Sequence, residues 1–529
     1  MSHYKIGIDV GGTNTDCVLV DAQNQIIAKT KTVTTTDIST GIAKALEIVL
    51  EQAKVPTESI RYVMLGTTHC TNAIVERKHL NKVGIIRICG SASRMLPPLT
   101  GIQDDLKAVL GNHTYMIDGG FEFDGRPIGT LNEGEISTVL GELKGKVSSV
   151  AITGIFSQIN PEQEIFVAEK AKEILGEEVA VSMSHQIGSL GLLERENATI
   201  LNAALKEIAH NMTFSFREAV AKHGIEAQLY FGQNDGTLMS LDNARTYPVL
   251  TIACGPTNSI RGAGALSGIK EGIVIDVGGT TSDAGVLVNG FPRESSKAAT
   301  VGGVQTNFRM PDVVAVGLGG GTIISTQGRI KIGPQSVGYR LSEEALSFGG
   351  EQFTLSDHAI LSEKMSIPEA AEKEVLSAAV TKSTSQNYED LQATIQASIQ
   401  DAINQLVDKV KTDSKAVPAI LVGGGSPILP EKIEGISEII TPEHYEVANA
   451  YGACISQIGG EAEKVFNLTT LSREEGVEQV KQLAINNAIH AGADEETIEV
   501  LTINDTPLAY LPNALKVKVK VCGNLKMRE

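Results

Sequence analysis

The chain has 529 residues, 42% hydrophobic and 20% charged, a globular balance with length for two or three domains that excludes a disordered or fibrous protein. Its 45 Lys and Arg against 63 Asp and Glu give a formal net charge of −18, which argues against nucleic acid or an anionic membrane surface as the main partner. The six cysteines lie far apart without a Cys-x-x-Cys pair, no apolar signal core follows Met1, and no 18-residue stretch is predominantly apolar, so a reducing, cytoplasmic setting is expected.

Ile8-Asp9-Val10-Gly11-Gly12-Thr13-Asn14-Thr15-Asp16 reads as a strand ending in Asp, a tight Gly-Gly-Thr turn and a second strand over 17–20. A third strand is expected over 26–32. Ile42, Leu46, Val49, Leu50 and Ala53 fall on one face of a helix over 41–54. A short strand at 62–66 leads through Thr67-Thr68 into a helix, and Asn160-Pro161 starts another with Asn as its cap. Residues 194–223 read as one long helix.

Ile275-Asp276-Val277-Gly278-Gly279-Thr280-Thr281-Ser282-Asp283 then repeats the opening motif 267 residues on, again running into an apolar strand, 284–288. Further along, an apolar stripe from Leu391 to Val410 predicts a helix, and a buried strand at 419–422 closes on Gly423-Gly424-Gly425-Ser426. The end of the chain reads as an amphipathic helix over 472–491 with strands near 497–503 and 515–521. The Lys-Val alternation at 516–521 is expected to be a half-solvated strand without chemistry.

Strands alternating with helices predict an α/β protein with layered sheets. The glycine pairs have two readings: they supply positive φ for a tight hairpin, or they let backbone amides approach an anion closely. Two copies of Asp-x-Gly-Gly-Thr favour the second reading. Amides, a threonine hydroxyl and an Asp able to hold metal-bound water suit a polyphosphate with magnesium gripped from both sides. No Gly-x4-Gly-Lys-[Ser/Thr] loop and no strand–Gly-x-Gly-x-x-Gly–helix unit is present.

The duplicated motif resembles the superfamily of sugar kinases, Hsp70-type chaperones and actin. That resemblance implies two ribonuclease-H-like lobes around a nucleotide cleft, with Gly423, Gly424, Gly425 and Ser426 as the adenosine turn. Gly-Thr-Thr-x-x-Thr-Asn-Ala (66–73), Glu-Arg-Glu-Asn (194–197), Gly-Pro-Thr-Asn-Ser (255–259), Gly-Leu-Gly-Gly-Gly-Thr (317–322) and Gly-Pro-Gln-Ser-Val-Gly (333–338) join it in order. With them the chain resembles the hydantoinase A/5-oxoprolinase family. The expected organisation is one lobe over 1–190, a second over 191–465 and a small α+β appendage over 470–529.

The family implies an ATP-dependent enzyme that phosphorylates a carbonyl, typically of a cyclic amide such as hydantoin or 5-oxoproline, with ATP and Mg2+ as cofactors. The second catalytic region fused in eukaryotic 5-oxoprolinases is missing, which implies a second catalytic subunit; the sequence also admits a homo-oligomer. Gly11, Gly12, Thr13, Asn14, Gly278, Gly279, Thr280 and Thr281 are expected at the phosphates, and Asp9 and Asp276 at magnesium. Thr67, Thr68 and His69 are further catalytic candidates, while Asn72, Asp312, Gly319, Gly320, Gly321 and Thr322 are expected to border the acceptor. Arg87 and Arg309 are weighed as partners for an acidic substrate, Asn307 and Arg309 are singled out because their stretch precedes the glycine loop, and Cys70 is weighed as a nucleophile. The rival readings are a small-molecule kinase whose phosphoester is the final product, and a nucleotide-switched regulatory protein.

Overall fold

The computed structural model describes all residues except 1–2, 36, 92, 296–298, 309, 327–328, 470, 510, 512 and 527–529. Arg309 therefore lies outside the described residues.

Both copies of the repeat build the same substructure. In the first, Tyr4–Val10 pairs antiparallel with Asn14–Val20, which pairs antiparallel with Ile26–Val33, while Ile60–Thr67 joins the first strand in parallel. In the second, Gly272–Val277 pairs antiparallel with Ser282–Val288, and Val417–Val422 runs parallel to it. Registers match as well: Asp9 stands opposite Asp16, and Asp276 opposite Asp283. The central strands are apolar on both faces because helices cover both, and Ile6, Ile8, Ile273 and Ile275 are buried.

The first copy grows into a nine-stranded sheet ordered 499–507, 514–523, 458–467, 238–240, 228–232, 60–67, 4–10, 14–20, 26–33. Sheet membership thus crosses the division expected near residue 190. The terminal helix Arg473–Ala491 and strands Glu499–Pro507 and Ala514–Gly523 continue this sheet rather than forming a separate appendage. Their apolar face, Val517, Val519 and Val521, packs under the helix at Val480, Ala484 and Ala488. The opposite face is not half-solvated: Lys518 and Lys520 are buried, and Lys520 pairs with Asp235 at 3.0 Å and Glu294 at 3.1 Å.

A separate parallel sheet, ordered 113–117, 83–88, 149–154, 180–183, stands between the first hairpin and the second. The expected helix over 194–223 is two, Leu192–Ala204 and Lys206–Lys222, meeting at Leu205. Helix Glu162–Leu175 starts one residue later than expected, after Pro161, and Asn160 caps it by accepting from the Glu162 amide at 3.1 Å.

Two helices join the halves. Cys254–Ser267 packs on the second sheet through Ile260 and Ala263, and Ala448–Ile455 packs on the first through Ala450 and Cys454. They cross backbone to backbone. A Cβ on Gly262 would lie 1.9 Å from the Ala448 carbonyl, and one on Gly452 equally close to the Asn258 carbonyl. Only glycine permits that approach.

Candidate active site

The two Gly-Gly-Thr turns face each other across one cleft of about 850 Å³. A Cβ on Gly279 would sit 3.1 Å from the Thr13 methyl. None of Gly11, Gly12, Gly278 and Gly279 has positive φ, so the glycines are not there to permit a left-handed turn. A Cβ on Gly12 would meet nothing within 4 Å; that space is open to a ligand.

The turns are wired alike. Gly11 donates to the Asn14 carbonyl at 3.0 Å, and Gly278 to the Thr281 carbonyl at 2.9 Å. Behind the first turn, the Thr34 hydroxyl donates to the Gly11 carbonyl and the Thr34 amide to the Thr13 carbonyl. Behind the second, the Gly320 and Gly321 amides donate to the Gly278 and Gly279 carbonyls at 3.0 and 2.7 Å. A trans peptide points its C=O and following N–H in opposite directions. Fixing those carbonyls at the back therefore turns the amides of Gly12, Asn14, Gly279 and Thr280 forward.

Asp9 and Asp276 stand at the strand ends, each against a glycine of the neighbouring parallel strand. A Cβ on Gly66 would lie 2.4 Å from Asp9 Oδ1, and one on Gly423, where φ is +84°, 2.2 Å from Asp276 Oδ1. The bridging helices anchor both carboxylates: Ser259 donates to Asp276 Oδ2 at 2.5 Å, and Asn449 to Asp9 Oδ2 at 3.0 Å. Burial first, then Asp16 and Asp276, pushes the Asp9 carboxyl up to about 7. Burial, then Asp276, does the same to Asp283; Asp276 is also raised, chiefly by burial.

These carboxylates fit a hydrated divalent cation. Their mutual repulsion is what such an ion relieves, and Asp9 Oδ1 is buried without a hydrogen-bond partner. Among the described residues no three His, Cys, Asp or Glu side chains converge tightly enough to ligate a metal directly, so a cation here would be held through water.

The expected nucleotide residues largely line the cleft: Gly11, Gly12, Thr13, Asn14, Gly278, Gly279, Thr280, Thr281, Gly423, Gly424 and Gly425 all do. Ser426 does not. Its hydroxyl turns inward to the Val422 and Gly423 carbonyls and opens a single 3-10 turn, Ser426–Ile428.

The acceptor side differs more from expectation. Thr68 and Asn72, four residues apart on one helical face, line the cleft. His69, one position along from Thr68 in helix His69–Glu76, is exposed and absent from that lining. Thr67 is buried; its hydroxyl accepts from the His69 amide, and its backbone is tied to Cys254 Sγ.

Of the Gly317–Thr322 loop only Gly320 reaches the cleft. Gly319 and Gly321 press on the second turn from behind, a Gly319 Cβ falling 2.6 Å from the Thr280 amide, and the buried Thr322 hydroxyl accepts from the Gly319 amide. The loop is a buttress. Asp312 lies elsewhere, paired with Arg293 at 2.7 Å.

Arg87 and Asn307 are structural too. Arg87 is buried against Glu196, and Asn307 donates to the Ser189 carbonyl at 2.7 Å. Burial raises the Cys70 thiol to about 11, which leaves it a poor nucleophile. Sequence reasoning passed over Asp16, Asp283, Lys31, Ser259 and Asn449, all of which line the cleft. The two aspartates were legible as the seventh residue after each strand-end Asp, and Ser259 closes the Gly-Pro-Thr-Asn-Ser segment; Lys31 and Asn449 carry no local signal.

The hydantoinase/oxoprolinase N-terminal region matches residues 5–175 and the hydantoinase/oxoprolinase model residues 195–461. An uncharacterised protein of Methanocaldococcus jannaschii is 27% identical over 67% of this chain and 56% of its own length. The caprolactamase subunit alpha of Pseudomonas jessenii is 25% identical over 67% of this chain and 53% of its own. The chain thus spans about half the length of these curated relatives. The crystal structure of the ATP-dependent caprolactamase from Pseudomonas jessenii superposes with a TM-score of 0.79 over 99% of this chain and 88% of that one, at 19% identity. A nucleotide-free acetone carboxylase structure gives 0.73 over 100% and 88%, at 17% identity. The chain shares their α/β fold. With family models covering both halves and both repeated turns meeting in one cleft, the chain belongs to the hydantoinase/oxoprolinase family.

Proposed function

We propose that this chain binds Mg·ATP between its two turns and passes the γ-phosphoryl group to the carbonyl oxygen of a cyclic amide of the hydantoin, 5-oxoproline or lactam type. One observation carries the reading: Thr13 and Gly279, 266 positions apart, face each other across the cleft so closely that a Cβ on Gly279 would fall 3.1 Å from the Thr13 methyl, so both turns reach one polyphosphate.

An unstrained ring amide resists hydrolysis because its carbon is a weak electrophile and its nitrogen a poor leaving group. Forming the O–P bond as the β,γ-bridge breaks releases ADP and turns the amide oxygen into a leaving group. Water then adds at the carbon, C–N cleavage opens the ring and leaves an acyl phosphate, and a second water hydrolyses that to the carboxylate and free phosphate. No strong general base is needed for the first step, so the work is positioning and charge neutralisation.

The forward amides of Gly12, Asn14, Gly279 and Thr280, with the Thr13, Thr280 and Thr281 hydroxyls, bind the phosphates. Asp9 and Asp276 hold magnesium through waters, and the ion supplies charge neutralisation there. Gly423, Gly424 and Gly425 flank the adenosine, and Thr68 and Asn72 border the acceptor. Two relatives carry subunit names, the caprolactamase alpha and acetophenone carboxylase gamma subunits, which supports a second polypeptide completing hydrolysis.

Six free, buried cysteines suit a cytoplasmic protein. No described helix is long and apolar enough to cross a membrane. The test is a panel of hydantoins, 5-oxoproline and lactams scored for ATP-coupled phosphate release, with and without a co-purifying subunit. Ring-opened product with released phosphate supports the proposal. A stable phosphorylated product would point to a kinase, and turnover answering only to a polypeptide would point to a regulator.

A further inference from the structure

We infer that Lys31 is the cation that holds the terminal phosphates of the nucleotide, a group supplied by the first half of the chain alone. The inference rests on the ATP reading above and goes beyond it by naming a side chain that makes the site selective for phosphate number.

Strand registers place Gly66, Asp9, Asp16 and Lys31 in one row across four adjacent strands of the first sheet. Directly opposed residues share a face, so Lys31 stands on the side that carries the two aspartates. The matching row of the second sheet is Val422, Asp276, Asp283 and Ala315. The repeat is therefore broken at its fourth place. Since the second hairpin is built without a lysine there, the hairpin itself does not require one.

The Lys31 ammonium donates to both Asp16 oxygens, at 2.6 and 2.8 Å. It also reaches the other half of the molecule, donating to the Glu446 carbonyl at 3.2 Å, with its Cε 3.7 Å from a Cβ placed on Gly424. Its side chain is 32% exposed and lines the cleft. Asp9, Asp16, Asp276, Asp283 and Glu446 also line it, against two cations, Lys31 and Lys364. Lys364 is turned to the Leu429 carbonyl. A polyphosphate entering between the turns adds negative charge to an acidic wall, and among the described lining residues Lys31 is the cation set between the first turn and the Gly423–Gly425 turn. A flexible ammonium with three donors can keep Asp16 and still bond a phosphate oxygen.

Calorimetric titration of the full chain with ATP, ADP and AMP, in magnesium buffer, tests this. The control is Lys29→Met: Lys29 neighbours Lys31 on the same strand and bonds the same 444–446 turn, but does not line the cleft. For Lys31→Met, ATP affinity should fall roughly ten- to hundredfold, the loss of one charge-assisted hydrogen bond, while AMP affinity stays within about twofold. Lys31→Arg should recover most of the ATP binding. The inference is overturned if Lys31→Met keeps the wild-type ATP-to-AMP ratio, or if Lys29→Met loses as much. A wild-type chain that binds no ATP overturns the nucleotide reading itself, and this inference with it.

Discussion

Asp9 and Asn449, 440 positions apart in sequence, are joined by a 3.0 Å hydrogen bond from the Asn449 amide to Oδ2. Ser259 holds Asp276 in the corresponding way. Each carboxylate is thus oriented by a helix at the crossing between the halves, and its other oxygen packs against Gly66 or Gly423. Asp9→Asn and Asp276→Asn should each lower ATP turnover on the order of a hundredfold or more. Circular dichroism should show the fold retained. Because Asp9→Asn removes a buried charge repelled by Asp16 and Asp276, it should also melt higher than wild type at pH 8 without metal. Wild-type turnover in either variant would remove these residues from the phosphate site.

The same repulsion makes stability depend on pH. Asp9 and Asp283 titrate at about 7 in the folded chain against an ordinary 3.8, so the folded state binds protons that the unfolded chain has released. Their contribution is complete below about pH 4 and is lost as pH rises through 7. In metal-free protein the melting temperature should therefore carry a falling component across this interval. Stabilisation by Mg2+ should grow from pH 5 to pH 8, and a magnesium effect that is flat with pH would count against a cation among these carboxylates.

The helix crossing predicts a different response. Gly262→Ala or Gly452→Ala places a methyl 1.9 Å from a backbone carbonyl, which the helices can accommodate only by moving apart. Each should cost about 3 kcal/mol in chemical denaturation. Each should also weaken ATP turnover, because the displaced helices carry Ser259 and Asn449.

Arg87 offers a control away from the cleft. It and Glu196 are 0% and 1% exposed and paired. Arg87→Ala should cost about 3–5 kcal/mol by leaving Glu196 buried alone, whereas replacing both by apolar residues should cost much less. The KM for the ring amide should be unchanged in whichever variant folds.

His69 and Asn72 lie one turn apart on the same short helix, and only Asn72 lines the cleft. His69→Ala should leave kcat/KM within about twofold, while Asn72→Ala should raise the KM of the acceptor roughly tenfold, the loss of one or two hydrogen bonds to substrate. The reverse result would move the acceptor from Asn72 to the His69 end of the helix.

Much of the nucleotide half was legible because a duplicated motif is a local signal: the Asp, the glycines and the Thr sit within nine residues in each copy. What glycine does not reveal is what approaches it. At Gly12 the neighbour is open space, whereas at Gly319 and Gly321 it is the backbone of the second turn, and the two cases read alike in sequence. Asp312 and Arg87 were ambiguous for a related reason: a charged residue gives no hint of a partner 19 or 109 positions away. The placement of 458–467 between 238–240 and 514–523 was equally hidden, since strand pairing over such separations leaves no pattern in either segment.

That late strand bears on how the molecule is made. During synthesis the first turn, complete by residue 20, emerges long before Asn449 and before the three strands that finish its sheet. A nascent chain must therefore keep Asp9 without its amide donor, and the 238–240 edge uncovered, until residues 449–467 have left the ribosome. Ligand competence should arrive late and abruptly, once residues of both halves have met, rather than with the first half alone.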